Sequence, residues 1–207
     1  GGTEQTEGEA PAAALAAFGL VALVQQATRD RIADAARQQA LARFDEVLVG
    51  LRYDNDLLAD SVTLRDPDHS GEAATVVAYR ARRAGSIVAV VMEIVAPDGY
   101  SGAIRLLVAI APDGTVLATR VVRHKETPGL GDFIDARKSD WIARFSGRSL
   151  QSPPAAGWRV RKDGGEFDQY TGATVTSRAT VAAVARSLAL FGLHRDAVLA
   201  APANIAP

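Results

Sequence analysis

The sequence contains no cysteine in its 207 residues. This absence excludes disulfides, a thiol nucleophile and any cysteine-ligated iron–sulfur or zinc site within the chain. Only three histidines are present, and no two of them have the spacing of a metal-binding pair. Any redox chemistry would therefore depend on an organic cofactor or on the metal of a partner.

An excess of one charge is also missing, because 23 Lys and Arg residues nearly balance 24 Asp and Glu residues. Nucleic-acid-binding proteins usually carry a basic excess, so nucleic acid is not an expected partner. Aromatic residues are few, at 6%, yet 48% of the residues are hydrophobic. That fraction suffices for a buried core, and the length fits one domain with residues left for an anchor or a tail.

A long hydrophobic run is lacking as well. The uncharged, Ala- and Leu-rich stretch at residues 10–24 is shorter than the roughly 20 residues that span a bilayer. We nevertheless predict a transmembrane helix over residues 10–26, because the helical pattern continues unbroken into an amphipathic connecting helix over residues 27–50. A buried core helix is the alternative. Residues 1–9 are polar and acidic, and we predict that they are disordered.

From about residue 73 the pattern changes to β-branched runs separated by short turns. Four strands joined in this way predict an antiparallel or mixed sheet, and the apolar run at 86–97 predicts a strand buried on both faces. The predicted fold class is α+β: an anchor helix, then one domain (residues 51–193) with a mainly antiparallel sheet flanked by helices, then a tail (residues 194–207).

The remaining predicted elements follow the last strand. We expect a short helix around Ser139 to Phe145 and a possible strand at residues 158–162. A final helix begins at Ser177 and ends before Gly192, a natural residue to follow a helix end. Trp141 and Trp158 are interpreted as core or interface residues.

The segment Asp168–Ser177 is rich in hydroxyl groups and lies just before the final helix. Thr171, Thr174, Thr176 and Ser177 surround a Gly-Ala pair. Free amide groups and the positive end of a helix dipole favour a phosphate at such a place. The alternative is simple N-capping by Thr176 or Ser177, which would explain one hydroxyl but not four.

Two other segments are built for close backbone approach. In His124–Asp132, Pro128 stiffens a turn that Gly129 and Gly131 make tight. The segment Asp98–Gly102 has the composition of a β-turn. Taken alone, the first would be an ordinary loop between a strand and a helix, and the second a plain turn.

The motif D-x-x-T-G-A-T at residues 168–174 resembles the flavinylation motif of the FMN-binding subunits of the Rnf and Na⁺-translocating NADH:quinone reductase complexes. The E-T-P-G-L-G and D-G-Y-x-G stretches and the order of elements resemble the same family, most closely the G subunit of the Rnf complex. In that family a flavin transferase joins FMN through its phosphate to the last threonine of the motif, here Thr174.

The resemblance implies further site residues. The predicted cofactor-binding residues besides Thr174 are Asp168, Thr171, Gly172, Ala173, Thr176, Glu126, Thr127, Gly129, Leu130, Gly131, Tyr100 and Ser101. Glu126 and Thr127 are expected to contact the isoalloxazine ring by polar groups, and Leu130 to form an apolar wall. The chain would then relay electrons as a flavoprotein subunit, being part of an oxidoreductase rather than a complete enzyme.

The same resemblance predicts the surroundings of the protein. We expect other Rnf subunits and the flavin transferase as partners, and a single-pass anchor in the inner membrane with the domain on the periplasmic side. A literal count of Arg29, Arg31 and Arg37 would instead place the domain in the cytoplasm. Two other functions remain open: an FMN-binding sensory domain, and a membrane-tethered scaffold without flavin.

Overall fold

The computed structural model describes residues 9–69 and 71–200, with side chains described except at positions 9–24, 27, 30, 33, 72 and 73. The predicted disordered segment at residues 1–9 lies outside the described residues apart from Glu9. The chain divides into two compact units, Gly1–Ala42 and Arg43–Pro207. The predicted start of the domain at residue 51 is therefore later than the start of the second unit.

Helix α1 spans Glu9–Val47 without a break, so one helix covers both the predicted anchor and most of the predicted connecting helix. Within the described residues, no helix is both long enough and apolar enough to cross a membrane. The end of α1 lies in the second unit, where Phe44, Val47 and Leu48 are buried. The ring of Phe44 packs at 4.7 Å from that of Tyr79.

A five-stranded sheet forms the centre of the second unit, and each strand pairs with the next in antiparallel register. The predicted antiparallel sheet is thus confirmed. The strand predicted over residues 86–97 is buried on both faces through most of its length. The strands are β1 (Ser61–Arg65), β2 (Thr75–Arg83), β3 (Ser86–Ala96), β4 (Ile104–Ile110) and β5 (Val116–Arg123).

Strand β1 was not among the four predicted strands. It is the shortest of the five strands, with five residues, and only Leu64 is buried, so its sequence signal is weak. The turn between β2 and β3 agrees with the prediction. Ala84 and Gly85 both have positive φ, 50° and 82°, as the tight turn of a two-residue hairpin requires.

Helix α2 spans Thr174–Ala200 and packs on β3 and β4. Its inner face contributes Val181, Val184, Leu188 and Phe191 to the main core. The helix begins three residues before the predicted start and continues through Gly192. The predicted end at Gly192 is wrong, because Leu190, Phe191 and Val198 lie on both sides of this glycine and remain buried.

The segment between β5 and α2 consists mainly of short 3₁₀ turns. One of them, Trp141–Phe145, lies where a short helix was predicted. The strand predicted at residues 158–162 is wrong, since only Val160 forms a bridge, with Phe167, before a 3₁₀ turn at Arg161–Asp163. The chain reverses there because Gly164 has a φ of 81° and the amide of Gly165 donates to the Val160 carbonyl at 3.1 Å.

A cluster of buried charges lies where the residue before β1 meets strand β2. Asp60 is 2% exposed, and its carboxylate pairs with Arg80, which is fully buried, and with Nε of Arg82 at 2.7 Å. Nη1 of Arg80 also donates to the carbonyl of Val198 near the end of α2 at 3.5 Å. The cluster therefore links β2 to the C-terminal part of α2.

Replacing Asp60 with alanine should lower the free energy of unfolding by about 3–5 kcal/mol, because the buried guanidinium of Arg80 would lose its carboxylate partner. Urea unfolding of the full chain, followed by circular dichroism, measures this. Glu93→Gln is the matched control, since its pair with Arg105 is half-exposed and screened by water. Equal losses in the free energy of unfolding for the two variants would contradict a stabilising role of the buried pair between Asp60 and Arg80.

Candidate functional site

Three segments that are distant in the sequence meet beside the N-terminal end of helix α2. They are the turn segment (residues 98–102), the loop segment (residues 124–132) and the threonine segment (residues 168–177). Each contains predicted site residues. Side-chain hydrogen bonds from Glu126 join the loop segment to the other two.

Glu126 lies at the centre of this junction and is only 4% exposed. Its Oε1 accepts the amide N–H of Ser101 at 3.0 Å, and its Oε2 accepts the hydroxyl of Thr176. The amide of Glu126 donates in turn to Nδ1 of His124 at 3.1 Å. Each carboxylate oxygen thus already holds a protein donor, and the expected contact of Glu126 with a ring stays a prediction.

Two glycines leave room for this carboxylate. A Cβ atom at position 131 would lie 2.9 Å from both Cβ and Oε2 of Glu126, and 3.4 Å from Oγ1 of Thr176. A Cβ atom at position 99 would lie 3.0 Å from Oε1 of Glu126 and 2.2 Å from the carbonyl oxygen of Gly102. Real Cβ contacts are not this short, so the absence of side chains at both positions is a steric requirement.

Hydrogen bonds within the loop segment hold its conformation. The carbonyl of Thr127 accepts the amides of Leu130 at 3.1 Å and Gly131 at 2.9 Å, and the amide of Gly129 donates to Oδ1 of Asp132 at 2.8 Å. Gly129 has a φ of 76°, which disfavours other residues. Thr127 and Leu130 are exposed, as a ligand-contacting role would need.

The threonine segment leads directly into α2. Oγ of Ser177 accepts the amide of Tyr170 at 3.1 Å and donates to the carbonyl of Ala173 at 3.0 Å. The helix begins at Thr174, so Thr176 and Ser177 lie inside its first turn and are buried. The alternative that one of them is the N-cap is therefore wrong.

Thr174 is the first residue of a helix of 27 residues and is half-buried. The first amides of a helix have no acceptor within it, and the helix dipole adds partial positive charge there. The preceding Gly172 has a φ of 83°, and a Cβ atom on it would lie 3.0 Å from Cδ1 of Leu130. Thr171 and Gly172 are exposed, whereas Ala173 is buried.

Asp168, at the start of the motif, is tied to two turns of the chain. Its carboxylate pairs with Nη1 of Arg144 and with Nε of Arg161, the latter at 3.0 Å. Its carbonyl accepts Nε1 of Trp141 at 2.7 Å. Asp168 is half-exposed, and these contacts connect the start of the motif to the turns that contain Trp141, Arg144 and Arg161.

Four exposed apolar side chains come from the same three segments: Tyr100, Leu130, Tyr170 and Val175. Tyr170 is 42% exposed, and its ring stacks on Phe133 with centroids 4.6 Å apart and an angle of 8° between the planes. Sequence reasoning missed Tyr170, although it occupies a variable position of the D-x-x-T motif. The partly exposed ring therefore lies within the threonine segment itself.

Other sequence interpretations have clear outcomes. Trp141 and Trp158 are core residues, as predicted, and each packs against the ring of Phe145. His69, in the polar loop after β1, is partly buried. Its Nδ1 lies 2.9 Å from Oδ2 of the buried Asp66, and its side chain is 31% exposed.

Two family models match the chain. The model of an FMN-binding domain matches residues 99–189, and the model of an RnfG N-terminal region matches residues 12–47. The first match contains the three segments of the site except for Asp98. The second lies within helix α1.

Similar proteins cover almost the whole chain. The G subunit of the ion-translocating oxidoreductase complex of Pseudomonas aeruginosa is 50% identical over 187 residues, which are 90% of this chain and 87% of that protein. The corresponding protein of Vibrio vulnificus is 46% identical over 191 residues, 92% of this chain and 90% of that protein. The crystal structure of Shewanella oneidensis NqrC is similar in fold, with a TM-score of 0.57 at 18% identity, over 80% of this chain and 98% of that one.

Replacing Gly131 with alanine should lower the free energy of unfolding by about 1–3 kcal/mol, because the added methyl group collides with Glu126. Gly192→Ala is the control. Position 192 lies within α2 with no atom near an added Cβ, so alanine should stabilise the helix by about 1 kcal/mol. Thermal unfolding of both variants measures the difference, and a tolerated Gly131→Ala would refute the steric argument.

Proposed function

The chain belongs to the family of G subunits of ion-translocating oxidoreductase complexes, and from that premise we propose that it is an electron-transfer subunit carrying FMN covalently on Thr174. The position of Thr174 at the start of α2 is the observation that carries this proposal. The relatives are named as subunits of an oxidoreductase complex, so this chain is part of an oxidoreductase.

The environment of Thr174 suits a phosphate ester. Unpaired amides and the helix dipole stabilise negative charge at the first turn of α2. Gly172 has no side chain, so its backbone can lie close to the side chain of Leu130, and Ala173 is small and buried. A half-buried threonine remains reachable by a modifying enzyme, yet its backbone is held by a long, packed helix.

The neighbouring side chains fit the flat ring of a flavin. Tyr100, Leu130 and Tyr170 offer apolar surface, and Thr127 offers a hydroxyl on the exposed part of the loop segment. Aromatic and aliphatic walls with few polar groups are the usual lining of a cofactor site. We propose that these residues orient the ring, with Gly129 and Gly131 allowing the loop segment to approach it closely.

When bound, FMN exchanges one or two electrons and can therefore connect carriers of both kinds. The task of this chain is to hold and orient it. Attachment through the phosphate leaves the ring edge free to face a partner. Since the 207 residues contain no cysteine, we propose that the next carriers belong to other subunits of the complex.

The N-terminal region is proposed to hold the protein on the inner membrane. The uncharged run at residues 10–24 lies within helix α1, and the family model for the N-terminal region matches residues 12–47. We propose that this helix anchors the chain and that the FMN-binding domain faces the periplasm.

Thr174→Ala should abolish covalent FMN and leave the fold intact, because only one hydroxyl at a helix start is removed. The variant and the wild type are produced together with a flavin transferase, denatured, and measured by intact mass and in-gel flavin fluorescence. Thr174→Ser, which retains a hydroxyl, should still be modified. A mass increase of FMN less one water on the alanine variant would refute Thr174 as the attachment site.

Protease added to intact spheroplasts should digest the FMN-binding domain, because the proposal places it outside the cytoplasm. Immunoblotting for an epitope after residue 200 reports the digestion, and a cytoplasmic protein is the control for intact cells. Protection of the domain until the cells are lysed would show the opposite orientation, the one that a literal count of arginines predicts.

A further inference from the structure

Glu126 is a buried carboxylate whose hydrogen-bond partners, within the described part of the chain, are neutral donors. They are the amide of Ser101 and the hydroxyl of Thr176, which lie 25 and 50 residues away in the sequence. A buried carboxylate is costly unless donors surround it, and hydrogen bonds to a charged acceptor are stronger than neutral ones. This carboxylate therefore joins three segments that are far apart in the sequence.

The bond to Thr176 fixes the rotation of the first turn of α2. Thr176 is 1% exposed and Thr180, one turn later, is fully buried, so both lie on the inner face of the helix. Successive helical residues are about 100° apart, which puts Thr174 about 200° from Thr176 around the axis. Holding Thr176 inward consequently turns Thr174 towards the half-exposed side.

The bond to Ser101 fixes the turn segment at the same junction. Gly99 and Gly131 approach the carboxylate so closely that a Cβ atom on either would lie 3.0 Å or less from one of its oxygens. The carboxylate is thus enclosed by two backbones and cannot change its partners without moving the turn segment or the loop segment.

We propose that Glu126 is a positioning residue for flavin attachment, presenting the hydroxyl of Thr174 through its bond to Thr176. This inference rests on the proposed function of Thr174. The donor would be a flavin dinucleotide: the Thr174 oxygen forms a bond to the phosphorus of its FMN half, the pyrophosphate P–O bond breaks, a nucleoside monophosphate leaves, and the threonine proton is released. Glu126 takes no part in these bond changes.

The test compares two substitutions of Thr176 in the full chain. Thr176→Val keeps the shape but removes the hydroxyl, whereas Thr176→Ser keeps the hydroxyl. With the transferase and a saturating flavin dinucleotide, Thr176→Val and Glu126→Gln should each slow covalent attachment at Thr174 by about ten- to hundredfold. Thr176→Ser should remain near the wild-type rate. The double variant should be no slower than the slower single one, because both substitutions act on the same hydrogen bond.

A control separates positioning from a loss of stability. Val76→Ala removes buried apolar surface in β2, away from the site, and should destabilise the protein while leaving the attachment rate unchanged. Wild-type rates for Thr176→Val and Glu126→Gln would overturn the proposal, as would an equal slowing by Val76→Ala.

Hydrogen exchange of the unmodified protein gives a readout that does not depend on flavin. The amide of Ser101 should exchange about tenfold faster in Glu126→Gln than in the wild type, because it loses a charged acceptor. A wild type that is never modified at Thr174 would refute the proposed function. An unchanged exchange rate of the Ser101 amide in Glu126→Gln would instead refute the proposed role of Glu126 in joining the three segments.

Discussion

The packing of helix α2 on strands β3 and β4 is the constraint on which the site depends. Buried residues on its inner face, Val181 to Phe191, hold the helix against the most buried part of the sheet. Once that face is fixed, the 3.6-residue period sets the direction of every residue in the first turn. A helix that merely capped the domain could rotate, but one that completes the core cannot, and the direction of Thr174 follows from this.

The buried carboxylate of Glu126 transmits that constraint to the two other segments. An apolar residue there could fill the same space, but it would leave the amide of Ser101 and the hydroxyl of Thr176 without an acceptor. Polar junctions of this kind favour one arrangement over similarly packed ones, since a shifted register loses hydrogen bonds that water cannot replace. The close contacts of Gly99 and Gly131 with Glu126 further limit the arrangements that the three segments can adopt.

Much of the fold was predictable because its signals are local. The hairpin at Ala84 and Gly85 and the apolar run of β3 follow from turn chemistry and periodicity. Strand β1 was missed because five residues give a weak signal. The end of α2 was misplaced because Gly192 is tolerated where packing continues on both sides. The three segments were also singled out from the sequence, through their glycines and hydroxyls, and their role in binding a cofactor stays a prediction. Their meeting at Glu126 was not predicted, since no local pattern shows which carboxylate becomes buried.

The proposed attachment of FMN to Thr174 places two opposing demands on this residue. A residue that receives a large group from another enzyme has to be reachable, and a group that exchanges electrons has to be held still. Half-burial at the start of a long packed helix suits both, because the packed helix holds the backbone while Thr174 stays partly exposed. The rings of Tyr100 and Tyr170 are exposed to water, which is unfavourable for apolar surface in the domain without a cofactor. Covering them with the proposed flavin ring would remove this apolar surface from water. Under the proposed function, attachment of the cofactor would therefore also cover an apolar part of the domain surface.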